Sequence, residues 1–478
     1  MLMASVVSGP MYRHVMARSP AGHIMRLPSG SGHVKVYART DPLTGRQTRL
    51  RRTCNTERAA QIELGKLLEQ AAAGRQPEIA ATVVELMDRA RRGRRLGVWS
   101  TIAGGMSLVP AFFFGSSWYL AEKIRSEALA VGPGPAMPAY DDVQFVGLSP
   151  EKVQLRAVGD QAALFKPVLC GIAWPGGIGH LGALIAVSGG VVTRSLTVTS
   201  GSAPAVGQLA ALDRSYFLSD PETALGIPMQ DVVVPGPLGP LPAWYFPGPG
   251  GTFIIGVHGQ NGTRKDVLRV IDIVHRMGFP ALAVTYRNDL GAARDPSGYI
   301  RYGQTEWSDI EAAVRWSLAQ GARSVVLVGQ SMGGGVVAAF LERSSLAPKV
   351  ARVVLDAPML DLHAAIDYQA DRHLIPIIGR LPAPLIWTAK RIASARFGVD
   401  WSATGYLDET TWLKVPALVT HGDDDPRVPI SISIRLNELK PSLVTFEVFP
   451  GAGHLESWNI DRSRYTSLVE SFLAPLAS

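Results

Sequence analysis

A serine flanked by glycines stands where it could act as a nucleophile. The run Gly329-Gln330-Ser331-Met332-Gly333 follows an apolar segment typical of a buried strand and precedes a segment typical of a helix. Small residues on both sides permit the tight strand-to-helix turn that lifts a serine hydroxyl clear of a sheet. A serine hydroxyl is a weak nucleophile, so it needs a general base, which a third group must orient. Ser331, with Gly329 and Gly333 permitting the turn, therefore predicts acyl-transfer chemistry.

Candidates for the acid and the base follow Ser331 in the chain, each after a predicted strand. Three consecutive aspartates, Asp423, Asp424 and Asp425, come directly after the apolar run 416–422. His454 lies in a glycine-containing loop close to the C-terminus, after the last predicted strand. A serine followed by an aspartate and then a histidine supplies the three groups that nucleophilic catalysis requires.

The elements that must position these residues alternate between strands and helices from residue 231 onward. A hairpin is predicted at 231–246, an amphipathic helix at 307–319, and a strand, turn and helix at 323–335. Further strands are predicted at 251–259, 280–286, 352–358, 416–422 and 443–451. Such alternation predicts an α/β fold with a doubly wound, mostly parallel sheet covered on both faces. The stretch 360–412 lacks strand signals and is predicted to form a helical cap.

The region from about residue 230 to residue 478 resembles the α/β-hydrolase family. The resemblance rests on the glycine-flanked Ser331, on the histidine loop at 451–458, and on His421 to Pro429, which is similar to the family's H-G-x-x-D-x-x-V-P pattern. It selects Asp425 as the acid and leaves Asp423 and Asp424 as solvated turn residues. The resemblance implies a triad of Ser331, Asp425 and His454, with neither a metal nor an organic cofactor.

The same resemblance implies an oxyanion hole made of two backbone N–H groups. One belongs to Met332, the residue after the nucleophile. The other comes from the loop 258–262, which is similar to the family's H-G-x motif. We expect Gln260 to supply that N–H, with Asn261 as the alternative. His258 precedes the nucleophile and is expected to brace the loop.

These residues predict a serine hydrolase that cleaves a carboxylic ester with an apolar acyl group. The segments 306–309 and 451–459 look most like those of bacterial membrane-associated esterases or serine-aminopeptidase-like members of the family. Apolar cap segments at 374–378 and 381–387 suggest an acyl-binding wall, although plain packing would explain them too. A serine peptidase of the same fold and a non-catalytic, membrane-tethered binding module are the alternatives.

Charge is distributed unevenly along the chain. Residues 1–125 hold 19 of the 47 lysines and arginines and 8 of the 40 acidic residues, a net of +11, which leaves 28 against 32, a net of −4, for the remainder. The 47% apolar and 18% charged composition is that of a globular protein. The two cysteines, Cys54 and Cys170, lie too far apart in the chain to suggest a disulfide framework or a zinc site.

Residues 96–121 carry no charged side chain. As a helix they would extend about 39 Å, more than the roughly 30 Å of bilayer hydrocarbon. Five arginines between residues 89 and 95 precede this run, so the positive-inside rule places residues 1–95 in the cytoplasm and the catalytic region outside. We expect a single-pass signal anchor at 96–121. A buried helix is one alternative, and secretion after cleavage near Ala128-Leu129-Ala130 is another.

The basic segment 1–95 contains two predicted strands, at 33–40 and 46–53, and a predicted helix at 56–73. It resembles the N-terminal arm-binding module of phage-type tyrosine recombinases, whose core-binding helix the segment 82–90 also resembles. The matching positions are Gly30, Ser31, Val34, Val36, Tyr37, Ala38, Asp41, Pro42, Thr44, Gly45 and Leu50. The resemblance implies DNA binding through residues 25–90, with a basic cytoplasmic tail as the alternative. For 122–230, a linker and accessory region, no fold is predicted.

Overall fold

The computed structural model describes residues 22–26, 32–40, 47–54, 112–132, 140–158, 162–372 and 380–477. The chain divides into two compact units, Met1–Met106 and Ser107–Ser478. The catalytic candidates all belong to the second unit.

The first unit contains an antiparallel sheet of three strands, β1 (Gly22–Arg26), β2 (Gly32–Thr40) and β3 (Gln47–Cys54). Strands β2 and β3 coincide with the predicted strands, and Gly32 pairs with Cys54 in their register. Strand β1 was not predicted. The predicted helix 56–73 and the segment 82–90 lie outside the described residues.

The second unit begins, within the described residues, with a helix, α1, at 112–124 that continues as a π-helical turn over Arg125–Leu129. Ser117 and Ala121 are fully buried, whereas Phe114 and Trp118 are more than half exposed. Residues 96–111 of the predicted membrane span lie outside the described residues. In the part of the chain that the structure describes, no helix has the length and apolar character needed to cross a bilayer.

A closed antiparallel barrel occupies most of the stretch for which the sequence predicted no fold. Its strands are β4 (Val143–Ser149), β5 (Lys152–Ala157), β6 (Cys170–Trp174), β7 (Gly177–Ser188), β8 (Val191–Gly201) and β9 (Leu209–Asp213), joined in the order β4-β5-β8-β7-β6-β9. Alternate side chains of β5 point inward, so Val153 and Leu155 join Phe145 and Trp174 in an apolar core.

The catalytic region is built on an eight-stranded sheet with the order β10-β11-β13-β12-β14-β15-β16-β17. The strands are β10 (Gln230–Gly236), β11 (Gly239–Phe246), β12 (Thr252–Val257), β13 (Ala281–Val284), β14 (Ser324–Gln330), β15 (Val350–Asp356), β16 (Ala417–Gly422) and β17 (Val444–Phe449). Strands β12 to β17 are parallel, and β10 and β11 form the predicted antiparallel hairpin.

Helices cover both faces of this sheet, as the alternating pattern predicted. They are α2 (Pro221–Leu225), α3 (Leu268–Arg276), α4 (Trp307–Ala319), α5 (Met332–Arg343), α6 (Leu362–Arg372), α7 (Ala383–Phe397), α8 (Ser431–Leu439), α9 (Ser457–Ile460) and α10 (Arg462–Leu473). Val325 and Leu327 of β14 pack with α4 and α5, whereas Val326 and Val328 pack with α3 and α10. Every side chain of such a strand meets an apolar layer, which explains its continuous apolar sequence.

The insertion between β15 and β16 is helical, as predicted for 360–412. It contains α6, α7 and two short 3-10 helices, Ser402–Thr404 and Thr410–Trp412, while residues 373–379 lie outside the described part. Helix α7 ends at Phe397, and Gly398 caps its C-terminus in the left-handed conformation. The insertion forms a cap above the carboxyl ends of β14 and β15.

The barrel packs against the last helices of the catalytic region. The side-chain amide of Asn459, which is buried, donates to the carbonyls of Leu169 (2.6 Å) and Arg214 (3.0 Å). Trp458 packs beside Tyr216 and Phe217, with ring centroids 5.0 Å and 6.0 Å away. These contacts make the barrel and the catalytic region parts of one unit.

Candidate active site

Ser331 occupies the turn between β14 and α5 in a conformation that few side chains adopt. Its φ is 51° and its ψ is −118°, and non-glycine residues in this region carry backbone strain. A methyl group on Gly333 would lie 2.2 Å from the carbonyl oxygen of Val257, and one on Gly329 would lie 2.8 Å from the carbonyl oxygen of Gly333. Both glycines are therefore required by close backbone packing, as the glycine-flanked serine indicated.

The structure brings Ser331, His454 and Asp425 into a hydrogen-bonded row. His454 Nε2 lies 2.9 Å from Ser331 Oγ, and His454 Nδ1 lies 2.7 Å from Asp425 Oδ2. The three side chains come from the ends of β14, β16 and β17 on one edge of the sheet. In this geometry the imidazole can take the serine proton while the carboxylate orients the ring.

Asp425 is buried and well supplied with hydrogen-bond donors. Its Oδ1 accepts from the backbone N–H groups of Arg427 (2.7 Å) and Val428 (2.9 Å), and His421 Nε2 lies 3.3 Å from Oδ2. Burial raises the pKa of the Asp425 carboxyl, but hydrogen bonds from His421 and His454 outweigh burial and hold that pKa well below its usual value. The group is therefore an ionised partner for His454.

The other two aspartates of this turn play no part in the row. Asp424 is paired with Lys166 of the barrel segment at 2.5 Å, and Asp423 accepts from the backbone N–H of Gly451 at 2.6 Å. Both side chains are solvent-exposed, which agrees with the interpretation of the sequence.

The two segments predicted to supply the oxyanion hole both lie next to Ser331. Met332 is the first residue of α5, so its N–H has no acceptor within the helix. The loop after β12 passes directly beside the nucleophile, because a methyl group on Gly259 would lie 3.1 Å from Ser331 Cβ. The N–H of Gln260 follows in this loop. The loop and the helix N-terminus thus border the nucleophile together.

His258 braces this loop, as the sequence suggested. Its ring is fully buried, stacks on Tyr286 with centroids 4.5 Å apart, and places Nε2 2.9 Å from Asp289 Oδ2. Burial lowers the pKa of His258, but the Asp289 carboxylate outweighs burial and raises that pKa above its usual value. Tyr286 also donates to the His258 carbonyl at 2.9 Å. The histidine therefore fixes the backbone that precedes Gln260.

The side chains of Gln260 and Asn261 have a role that the sequence did not reveal. Gln260 Nε2 donates to the carbonyls of Glu127 and Ala128, each at 2.9 Å. Asn261 Oδ1 accepts from the backbone N–H of Gly132 at 2.7 Å. Their partners lie about 130 positions earlier in the chain, so no local pattern could have indicated these contacts.

A cavity of about 710 Å³ opens above Ser331 and His454. That volume is typical of pockets that bind small organic molecules. Most of its lining is apolar and comes from α1, the cap and the loops beside the triad: Leu120, Ile124, Ala128, Tyr302, Met359, Leu362, Ile366, Ala370, Leu381, Ile386, Ala389 and Leu455. Leu381 and Ile386 belong to the cap segment predicted as an acyl-binding wall, whereas Trp387 of that segment is 62% exposed. The other predicted segment, 374–378, lies outside the described residues.

Charged and polar groups line the rest of the cavity. Lys123 and Glu127 of α1 and its π-turn pair with each other at 2.6 Å, and Arg427 lies beside the acid. Within the described ranges, no group of three or more histidine, cysteine or acidic side chains is placed to hold a metal ion.

The part of the chain that carries the triad is similar to a known family. The sequence model of the alpha/beta hydrolase family matches residues 232–466. A search of curated proteins finds no match. The family match includes none of residues 25–90, so the recombinase resemblance gains no support and stays a prediction.

Several solved structures are similar to the catalytic region. An esterase from Pyrococcus furiosus is 20% identical, covering 55% of this chain and 97% of the esterase, with a TM-score of 0.42. A serine hydrolase without lid from Xanthomonas campestris is 17% identical, covering 52% and 94%, with a TM-score of 0.35. A putative aryl esterase from Burkholderia cenocepacia is 20% identical, covering 52% and 99%, with a TM-score of 0.39. Because one fold serves many activities, the geometry of the site has to identify the reaction.

Proposed function

We propose that this chain, whose residues 232–466 match the alpha/beta hydrolase family, is a serine hydrolase that cleaves carboxylic esters with an apolar acyl group. The observation that carries the proposal is the row Ser331–His454–Asp425, with contacts of 2.9 Å and 2.7 Å, at the floor of an apolar cavity. A hydrogen-bonded triad without a cavity could be structural, and an apolar cavity without a triad could be a binding site. Their coincidence favours catalysis on an apolar substrate.

The geometry supports a two-step reaction. His454 Nε2 accepts the proton of Ser331 Oγ as that oxygen bonds to the ester carbonyl carbon, and the carbonyl electron pair moves onto the oxygen. The backbone N–H groups of Met332 and Gln260 stabilise this oxyanion. When the carbonyl re-forms, the C–O bond to the alcohol breaks, and the alcohol leaves with the proton from His454.

Deacylation repeats these steps with water in place of the serine hydroxyl. His454 takes a proton from water, the resulting hydroxide adds to the acyl carbon, and collapse of the second intermediate returns the proton to Ser331 Oγ. The products are a carboxylic acid and an alcohol, and the enzyme is regenerated. Asp425 remains ionised throughout and stabilises the imidazolium that forms twice in each cycle.

The lining of the cavity favours an ester with an apolar acyl chain over a peptide. A peptide presents a backbone N–H and C=O at every residue. Burying these groups without hydrogen-bond partners costs free energy. The side chains around Ser331 offer mainly aliphatic carbon from Leu120, Ile124 and Ile386. A serine peptidase and a non-catalytic binding module remain the alternative outcomes of the test.

The test uses the full-length chain in detergent, its Ser331→Ala variant, and Ser463→Ala as a matched control, because Ser463 is exposed on α10. Hydrolysis of p-nitrophenyl esters and labelling by a fluorophosphonate are measured. Loss of the nucleophile should lower kcat by on the order of 10⁴-fold or more and abolish labelling, while Ser463→Ala should behave as the wild type.

The other outcomes of this test separate the alternatives. Labelling without ester turnover would support a peptidase. The absence of both signals in a folded wild-type protein would refute catalysis and support a binding module.

We also propose that the chain is attached to a membrane, with residues 1–95 in the cytoplasm and the catalytic region outside. The uncharged run 96–121 and the preceding arginines support this proposal. Since Ser117 and Ala121 are buried against the catalytic region, lipid contact would fall to residues 96–111 and the exposed side of α1. Secretion after cleavage near Ala130 is disfavoured because Ala128 and Leu129 are buried and hydrogen-bonded.

A further inference from the structure

We propose that α1 and its π-turn set the length of the acyl chain that the enzyme accepts, with Leu120 and Ile124 as the specificity-determining residues. This inference rests on the proposed esterase function and adds a specificity determinant from outside the region 232–466 that matches the hydrolase family. Both residues line the cavity above Ser331.

The two sides of α1 differ in what they contact. Leu120, Ile124 and Ala128 recur at four-residue spacing, so they share one side of the helix, and all three line the cavity. Phe114 and Trp118 do not line the cavity and are 61% and 52% exposed. The helix therefore contributes the aliphatic side chains of Leu120 and Ile124, together with Tyr119, to the cavity.

The cap forms the facing wall. Leu362 and Ile366 of α6 and Ile386 and Ala389 of α7 line the same cavity. An acyl chain bound to Ser331 would lie between this wall and α1. The residues of α1 thus decide how much of the cavity a longer chain can occupy.

Helix α1 is fastened to the catalytic region through the π-turn at its C-terminal end. Gln260 donates to the carbonyls of Glu127 and Ala128, Tyr302 Oη donates to the Ala128 carbonyl at 2.9 Å, and the backbone N–H of Ile300 donates to the Leu129 carbonyl at 2.9 Å. Tyr302 Oη also lies 3.1 Å from Gln260 Oε1, which fixes the orientation of that amide.

A second attachment holds the middle of α1 to the cap. The guanidinium of Arg396 lies 3.9 Å from the centre of the Trp118 ring and 3.3 Å from Glu122. Because α1 is held at two places, a bulky side chain in the cavity cannot simply push the helix aside. A change of side-chain volume at residue 120 should therefore appear as a change of cavity length.

The experiment compares full-length wild type with Leu120→Trp, Leu120→Ala and Ile124→Ala, and with Phe114→Ala as a control on the exposed side of the same helix. kcat/KM is measured for p-nitrophenyl esters from acetyl to dodecanoyl. Leu120→Trp should lose the least kcat/KM on the acetyl ester and progressively more on longer acyl chains. It should lose about fourfold in kcat/KM for each methylene that the indole excludes from the cavity.

The enlarging variants test the opposite direction. Leu120→Ala and Ile124→Ala should move the optimum toward longer chains, and Phe114→Ala should leave the profile unchanged. Retained labelling of Ser331 by a fluorophosphonate shows that each variant is folded. Superimposable acyl-length profiles for wild type and all three cavity variants would overturn the inference, whereas a wild type inactive on every ester would overturn the proposed function instead.

Discussion

The carboxyl group of Asp425 has more hydrogen-bond donors than orientation of His454 alone would need. Two backbone N–H groups occupy Oδ1, and His454 and His421 approach Oδ2 at 2.7 Å and 3.3 Å. A carboxylate satisfies four donors, and an amide does not, because one of its two heavy atoms is itself a donor. The site is therefore specific for an ionised carboxylate at this position.

Asp425→Asn should lower kcat for ester hydrolysis by about 10⁴-fold with little change in fold. The physical reason is that an amide nitrogen facing His454 Nδ1 favours the wrong imidazole tautomer. The effect is measured as kcat on the p-nitrophenyl ester that the wild type hydrolyses fastest. Asp424→Asn is the matched control, since the neighbouring carboxylate is exposed and pairs with Lys166. More than a tenth of wild-type activity in Asp425→Asn would mean that another residue supplies the acid.

The barrel and the catalytic region are joined by elements that also carry the triad loops. Asn459 lies in α9, five residues after His454, and its side-chain oxygen accepts from Arg269 at 2.5 Å while its amide binds two barrel-side carbonyls. The pair Lys166–Asp424 makes a second connection, but both of its side chains are partly or largely exposed. The buried connection should contribute more stability than the exposed one.

Asn459→Ala should lower the free energy of unfolding by about 1–3 kcal/mol, because it removes an acceptor from the buried guanidinium of Arg269 and a donor from the carbonyls of Leu169 and Arg214. Lys166→Ala should cost no more than about 1 kcal/mol, as expected of an exposed ion pair. Chemical denaturation of the two full-length variants beside wild type provides the comparison. An equal loss in both would show that the buried amide does not dominate the docking of the barrel.

Among the secondary-structure elements, the sequence predicted most of the strands and helices of the catalytic region and none of the barrel strands. Helix 307–319 was predicted to the residue, because its apolar spacing has the helical period and its partners are local. The barrel strands are interrupted by glycines, and their inward positions carry residues as different as Val153, Trp174 and Ala210. A closed barrel also depends on pairings such as β4 with β9, about 65 positions apart, which local periodicity does not report.

The residues around the active site also divide into those that the sequence predicted and those that it did not. Ser331, Asp425, His454 and Met332 lie at strand-to-helix or strand-to-loop turns, where local pattern and family resemblance agree. The sequence did not predict that α1 lines the cavity, and the reason is physical. An uncharged run that is long enough to span a bilayer has the same composition as a helix that packs on an apolar cavity.

For the molecule as a whole, the charge asymmetry and the uncharged run together predict a membrane location. The net charge of +11 over residues 1–125 stands beside −4 for the remainder. A basic segment before an apolar run tends to stay in the cytoplasm. DNA binding by residues 25–90 also stays a prediction from sequence, and it would leave the hydrolase activity unaffected.

Cell fractionation tests the membrane location with the full-length chain. The protein should sediment with membranes and resist a carbonate wash, because attachment through 96–111 would be hydrophobic rather than ionic. A charged fluorophosphonate that does not cross membranes should label Ser331 in intact cells. If all of the esterase activity of the lysate were recovered in the supernatant, the proposed attachment would be contradicted. Labelling of Ser331 only after lysis would indicate the opposite orientation.

The clamp between Gln260 and the carbonyls of Glu127 and Ala128 means that the family match does not delimit the functional unit. A recombinant fragment starting at residue 126, chosen to avoid the uncharged run, would retain the intact triad but lose Leu120 and Ile124. A fragment starting at residue 232 would lose the clamp's acceptors as well. An acyl-length profile measured on either fragment would therefore describe a cavity that lacks the side chains of α1, and it would differ from that of the full-length chain.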